Sequence, residues 1–276
     1  MTIKRAFKDG ISDWIFFCQK RSRSKFSLKN KCRILMYHSI ERFDSRIDKM
    51  GLANPPDTFR MHMQYLKEND FHVIDLPDLA HRIIDDISIP DNSIVITFDD
   101  GYRSILTEAL PILKEFGFTA TLFINIHSVE KKIPKHLYWH DWQTLNWDEI
   151  KKLYQGGMLI GSHAFTHRRL TGLNEEELKY EIEDSKDSIE RNINGKINTF
   201  SYPHGAFNKK VIKTLKENNF LCSCSSIGGT NDSQSNIYVL KRTEITSFDG
   251  TSLKFKKKIS GSYDWLGNFH KWNASG

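Results

Sequence analysis

From Arg33 onward, short apolar runs alternate with longer amphipathic stretches, and this beat constrains the fold more than any other feature of the chain. Residues 34–37 read as a strand that ends at His38 and Ser39. Asp57 or Thr58 can then cap a helix carrying Phe59, Met63 and Leu66 on one face, and residues 72–75 give the next strand. Pro77 opens a further helix, residues 93–98 form a strand, and residues 103–116 form a helix that closes at Gly117 before a strand at 119–124. Residues 127–145 interrupt the beat with a long loop holding Tyr138, Trp139, His140 and Trp142, a candidate functional segment. Asn146 with Glu149 starts a capped helix, Gly156-Gly157 stops it, and residues 158–161 are a strand running into Ser162-His163. Asn174 with Glu177 repeats the cap for a helix bearing Leu178, Ile182, Ile189 and Ile193. A short strand at 200–202, a helix at 209–219 and strands at 221–225 and 238–240 complete the series. Repeated units of this size imply an α/β fold with a parallel sheet, open or closed into a barrel. In either case function gathers at the carboxyl ends of the strands. His38, Asp99, Asp100, His163 and Tyr202 all lie there.

At 276 residues and 39% hydrophobic, the chain can bury one sizeable core plus short extensions. It divides into a basic N-terminal segment (1–30), one catalytic-sized domain (31–247) and a basic, aromatic tail (248–276). The net charge of +6 suits an anionic surface or a glycolipid phosphate, and no zinc-finger spacing or RNA-binding signature points to nucleic acid. Cys18, Cys32, Cys222 and Cys224 form no C-x-x-C pair, which argues against both a disulfide scaffold and thiolate-bound zinc. The N-terminus lacks the apolar core of a secretory signal, and no run reaches the ~18 apolar residues of a membrane span. The expectation is a cytoplasmic protein, peripheral to the inner face of the membrane at most. Trp14, Phe16 and Phe17 beside Lys20, Arg21 and Arg23 fit an interfacial anchor or, equally, a helix packed on the domain. The run from Lys254 to Lys258, with Trp265, Phe269 and Trp272, carries the same two readings.

Two motifs carry chemistry. T-F-D-D-G-Y (97–102) sets two carboxylates side by side where a buried strand stops; taken alone, D-D-G is also ordinary turn chemistry. Adjacent strand-end residues point to opposite sides, so the two acids can take two jobs, one holding a metal and one accepting a proton. H-A-F-T-H (163–167) places two imidazoles four apart, able to meet one ion if the chain curls after its strand. One carboxylate with two imidazoles is a ligand set for zinc and other borderline divalent metals that leaves positions open for water and substrate. Two His and one carboxylate also describe the facial triad of non-haem iron oxygenases, although that site leaves the second acid without a role.

With L-M-Y-H-S-I (35–40), P-I-L-K-E-F-G (111–117) and F-S-Y-P-H-G (200–205), these motifs make the chain resemble the polysaccharide deacetylases, the NodB-like metal-dependent carbohydrate esterases of family 4. The resemblance spans roughly residues 31–247 and implies a distorted (β/α)7-type barrel that removes N-acetyl groups from an N-acetylated sugar, oligosaccharide or lipid-linked glycan. It implies that Asp100, His163 and His167 hold a divalent metal, zinc first, with Co2+, Ni2+, Mn2+ or Fe2+ as alternatives. Asp99 would be the general base, and the backbone N–H of Tyr202 an oxyanion donor. The Arg that commonly pairs with the base is missing from residues 196–200, and Arg242 is the best substitute. The usual late Leu-x-x-His is also missing, and His38 looks like the general acid of the subgroup with an N-terminal Tyr-His motif. His204 competes for that role, with His127 and His140 as more distant candidates. Tyr138, Trp139 and Trp142 either stack on sugar faces or pack on the barrel rim. The competing readings are an inactive glycan-binding or scaffold protein of the same fold, and a deacylase acting on a non-sugar amide.

Overall fold

A computed structural model describes residues 3–21, 28–42, 48–130 and 143–266. Arg23, Tyr138, Trp139, His140, Trp142, Phe269 and Trp272 lie outside the described residues. Among the described residues, eight parallel strands follow the expected beat: β1 (Cys32–Tyr37), β2 (His72–Val73), β3 (Ser93–Phe98), β4 (Thr121–Ile124), β5 (Leu159–Ser162), β6 (Thr199–Ser201), β7 (Cys222–Cys224) and β8 (Arg242–Glu244). Their order is β7-β6-β5-β4-β3-β1-β8, with the two-residue β2 beside the start of β3. Leu240 bridges the two ends: its N–H donates to Ser223 O (3.0 Å) and its carbonyl accepts from the Ser225 N–H (2.8 Å). The sheet is therefore nearly closed, a distorted (β/α)7-type barrel. One expected strand is corrected. Residues Ile237–Val239 form a 3-10 turn, because the Asn236 side chain accepts from the Tyr238 N–H (2.9 Å) and competes with extended pairing. The strand begins instead at Arg242.

Strand alternation divides the core in two. Leu35, Tyr37, Ile94, Ile96 and Phe98 join the helix-facing cluster with Phe59, Met63 and Leu66 of α2 (Pro56–Glu68). Ile34, Val95, Phe123, Cys222 and Cys224 form the second cluster, against which α3 (Leu76–Ile84) packs Leu76, Leu79, Ala80 and Ile83. Ile34 pairs with Val95 and Met36 with Thr97, so with a period of two the next interior pair is His38 beside Asp99. The Asp99 N–H donates to Tyr37 O (3.0 Å), which carries the register that far. Gly161 is the narrow point of the wall: a Cβ there would lie 2.6 Å from the Phe123 ring and from Thr199 Oγ1.

The helices α4 (Leu110–Phe116), α5 (Ile126–Val129), α6 (Trp147–Gln155), α7 (Glu175–Lys179), α8 (Ser185–Ile193) and α9 (Lys209–Glu217) follow in chain order. Asn146 and Asn174 make the expected capping boxes, and Gly117 closes α4 in the left-handed conformation (φ 69°). Two expected helices are broken by single wide turns, at Ile105–Ala109 and Tyr180–Asp184. The N-terminal α1 (Ile3–Arg21) lies on the C-terminal α10 (Ser252–Ile259). Lys257 pairs with Asp13 and lies over the Phe16 ring, Tyr263 Oη donates to Asp9 (3.0 Å) and Trp265 Nε1 donates to Ser12 Oγ (3.2 Å). Trp14 and Phe17 consequently face outward, 68% and 61% exposed. Among the described residues, no helix is long and apolar enough to cross a membrane.

Candidate active site

The carboxyl ends of β1, β3, β5, β6 and β8 meet at one mouth of the barrel. Asp99 follows Val95 and Thr97 on the interior face of β3 and is buried. Arg242 rises from β8, where its backbone is level with Ile34, two layers below. On the way its Nη1 reaches Thr97 Oγ1 (3.3 Å), and its Nε donates to Ser225 O (3.0 Å). At the top it grips Asp99 with both arms, Nη1 to Oδ1 at 2.8 Å and Nη2 to Oδ2 at 2.7 Å. Ser201 Oγ accepts from Nη2 (2.8 Å) and donates to Asp99 Oδ2 (3.2 Å), filling the space between them. Burial by itself raises the Asp99 carboxyl, but the guanidinium, followed by His163, outweighs it and holds the group below the ordinary carboxylate range.

Asp100 leaves the strand in the left-handed conformation (φ 76°), a turn that Asp tolerates better than most residues, and Gly101 continues it (φ 75°). This corrects the expectation that the two acids point to opposite sides. The turn swings Asp100 into the same mouth, so that His163 Nε2 lies 3.6 Å from Asp100 Oδ1 and 4.0 Å from Asp99 Oδ2. After β5 the chain curls with Ala164 (φ 64°) and His167 (φ 63°) also left-handed. That curl sets His167 Nε2 3.2 Å from His163 Nε2 and 3.3 Å from Asp100 Oδ1. The His163 Nδ1–H donates to Ser201 O (2.7 Å), which leaves the Nε2 lone pair facing the other two donors.

Asp100, His163 and His167 therefore present one oxygen and two nitrogens at mutual separations of 3.3, 3.6 and 3.2 Å. A tetrahedral ion bonded at about 2.0–2.1 Å holds its ligand atoms roughly 3.3 Å apart, so the triangle fits a small divalent cation in size as well as in donor type. The electrostatics agree. Burial works against the Asp100 charge, yet the His167 contact and the fields of His167, His38 and His163 hold its carboxyl well below the usual range. Burial pushes His163 down to about 4, keeping it neutral, whereas contact with Asp100 reverses the effect of burial on His167 and raises it.

His38 sits half-buried at the end of β1, close enough for its charge to act on both acids. Its buried Nδ1 has no hydrogen-bond partner among the described residues. The His204 ring stands edge-on to His167, with centroids 4.8 Å apart, and burial followed by the His167 charge lowers its pKa. His127 instead packs edge-on against Phe165.

Tyr202 does not fit the role expected of it. Its N–H is committed to Cys224 O (3.2 Å) as a rung of the barrel, and its hydroxyl donates to Tyr238 O (2.9 Å). Along this turn Pro203 has no N–H, Gly205 donates to Tyr202 O (2.9 Å) and Ala206 donates to Pro203 O (3.2 Å). The N–H left over is that of His204, held left-handed (φ 58°) beside His167. Nothing local in Y-P-H-G shows which N–H the sheet consumes. A second missed residue is Glu181, fully buried, whose carboxylate accepts from the N–H groups of Phe165 (3.0 Å) and Thr166 (2.8 Å) inside the H-A-F-T-H curl.

Comparison with known proteins agrees with this geometry. Residues 87–222 match the family model described as polysaccharide deacetylase. The putative polysaccharide deacetylase YxkH of Bacillus subtilis is 27% identical over 239 residues, covering 87% of this chain and 77% of that protein. The poly-beta-1,6-N-acetyl-D-glucosamine N-deacetylase of Staphylococcus epidermidis is 22% identical over 209 residues, covering 69% of this chain and 70% of that protein. Among solved structures, the Streptococcus pyogenes deacetylase PplD superposes with a TM-score of 0.70 at 22% identity, covering 79% of this chain and 93% of that one.

Proposed function

Because this chain belongs to the polysaccharide deacetylase family, we propose that it hydrolyses the N-acetyl group of an N-acetylated glycan, with poly-N-acetylglucosamine-type polymers as the first substrates to try. The observation that carries the reading is the triangle of Asp100, His163 and His167 with a second, Arg-held carboxylate 4.0 Å from its nearest imidazole nitrogen. Asp100, His163 and His167 would hold a divalent metal, which would supply a Lewis acid for the acyl oxygen and lower the pKa of a bound water. Asp99 is the general base. A carboxylate has about four lone-pair sites, and Arg242 and Ser201 occupy three of them on Asp99, leaving one for a water proton. Arg242 keeps Asp99 ionised and aimed. The His204 N–H, on the turn beside His167, is the candidate donor for the developing oxyanion. His38, in strand register beside Asp99 at the end of β1, delivers a proton to the leaving amine.

The outward Trp14 and Phe17 on α1, in a chain of net charge +6, support contact with an anionic membrane surface. That placement suits a lipid-linked or surface-held glycan. Acetate release from N-acetylglucosamine oligomers of β-1,4 and β-1,6 linkage, by protein reconstituted with zinc or cobalt, tests the reaction. Acetate from these oligomers supports it; stoichiometric metal with no acetate from any N-acetylated sugar overturns it. Acetate from simple amides alone assigns a non-sugar deacylase.

A further inference from the structure

The H-A-F-T-H curl carries two left-handed residues, Ala164 and His167, and turns the Phe165 and Thr166 N–H groups towards one carboxylate. Such a curl costs energy and needs a partner that over-determines it. Glu181 is that partner. It lies in the wide turn Tyr180–Asp184 between α7 and α8, 0% exposed. Its Oε2 accepts from the Phe165 and Thr166 N–H groups at 3.0 and 2.8 Å. Its Oε1 accepts from Thr166 Oγ1 and from Arg168 Nε, the latter at 3.2 Å. Four donors from three residues, Phe165, Thr166 and Arg168, thus converge on one carboxylate, which touches neither metal-ligand imidazole. Phe165 is held a second time, its ring 4.4 Å from Tyr180 and its carbonyl accepting the His127 N–H (2.9 Å).

We propose that Glu181 is a positioning residue for the metal site: its carboxylate sets the curl that brings His167 Nε2 onto Asp100 and His163, and so sets metal affinity. The inference rests on the metal-site reading above. Glu181→Gln is nearly isosteric but replaces one acceptor oxygen by a donor amide, which meets either two N–H groups or Thr166 Oγ1 and Arg168. Residues that fix metal ligands from behind typically account for 10–100-fold in affinity.

Zinc affinity is measured by competition with a chromogenic chelator, alongside amide hydrogen exchange of the 163–168 segment in metal-free protein. For Glu181→Gln the expected results are zinc binding weakened at least tenfold, faster exchange at Phe165 and Thr166, and turnover largely restored by excess metal. Thr166→Val keeps the carboxylate and both backbone bonds, and should weaken zinc about threefold. Wild-type affinity in both variants, even with lower thermal stability, overturns the proposal by making Glu181 merely structural. A wild-type protein that binds no metal overturns the metal-site reading itself, whereas metal-binding wild type with indifferent variants refutes only the role of Glu181.

Discussion

Replacing Arg242 by Met tests the deepest element of the site. Asp99 and Arg242 are 4% and 1% exposed, and without the guanidinium the carboxylate keeps only Ser201 Oγ as a close hydrogen-bond partner. Removing one member of a buried pair typically costs about 3–5 kcal/mol, because a charge is left buried without compensation. For a domain of this size that corresponds to a Tm lower by about 6–20 °C. The pH dependence identifies the cause. In the wild type the Asp99 pKa lies below its unfolded value, so its contribution is complete above the unfolded pKa of about 3.9 and fades as pH falls through the folded pKa. In Arg242→Met, burial acts unopposed by the guanidinium and raises the carboxyl above its unfolded value. The variant is then penalised most at high pH, and the penalty shrinks as pH falls through the raised pKa. Denaturant unfolding of chelator-treated protein at pH 8, 6.5 and 5 should show the gap from wild type narrowing with acidity. Adding Asp99→Asn to the variant should recover most of the loss at pH 8. A loss that is independent of pH, or below ~1 kcal/mol, refutes the claim that Arg242 holds Asp99 ionised.

The remaining predictions divide the roles further. Asp99→Asn should lower kcat by about 10²–10⁴-fold with zinc stoichiometry intact, whereas Asp100→Asn should weaken zinc itself in a chelator competition; the opposite pattern would exchange the two assignments. His38→Ala should lower kcat by about 10²-fold, more than His204→Ala does, and a larger loss at His204 would move the general acid there. Trp14→Glu together with Phe17→Glu should abolish co-sedimentation with vesicles of anionic lipid while leaving turnover of a soluble oligomer unchanged. Equal sedimentation of both proteins would remove α1 as a membrane contact.

The parts of this molecule legible in its sequence are those written locally. The caps at Asn146 and Asn174, the stop at Gly117 and the strand ends at His38, Asp99 and His163 depend on neighbours within a turn of chain. Closure of the barrel is not local: it rests on Leu240 bridging Cys224, and Leu240 sits after a 3-10 turn that reads as a strand by composition. Arg242 meets Asp99 across 143 positions, so its candidacy could be read from the sequence but its two-armed geometry could not. Tyr202 and His204 are both strand-end residues of Y-P-H-G, and only the pairing of β6 with β7 shows that the Tyr202 N–H is taken. Glu181 was hidden because residues 174–193 carry an apolar helical stripe. The wide turn at Tyr180–Asp184 interrupts that stripe and carries the buried carboxylate.

The two adjacent acids keep separate environments although the fold brings both into one mouth, and the reason is depth. Asp99 remains in extended register on β3, so its carboxylate enters the barrel and meets a cation rising from below. Asp100 takes the left-handed turn at φ 76°, and its carboxylate, 19% exposed, meets imidazoles arriving along the rim. If residue 100 stayed extended, alternation would send it behind the sheet and the metal triangle would lose its oxygen. If Arg242 were absent, burial and the charge of Asp100 beside it would both raise the Asp99 carboxyl. One backbone turn and one buried guanidinium therefore give a repeated residue two environments, those that the proposed ligand and the proposed base require. The pattern D-D-G permits this division through Gly101 and a left-handed Asp100, but Arg242 enforces it.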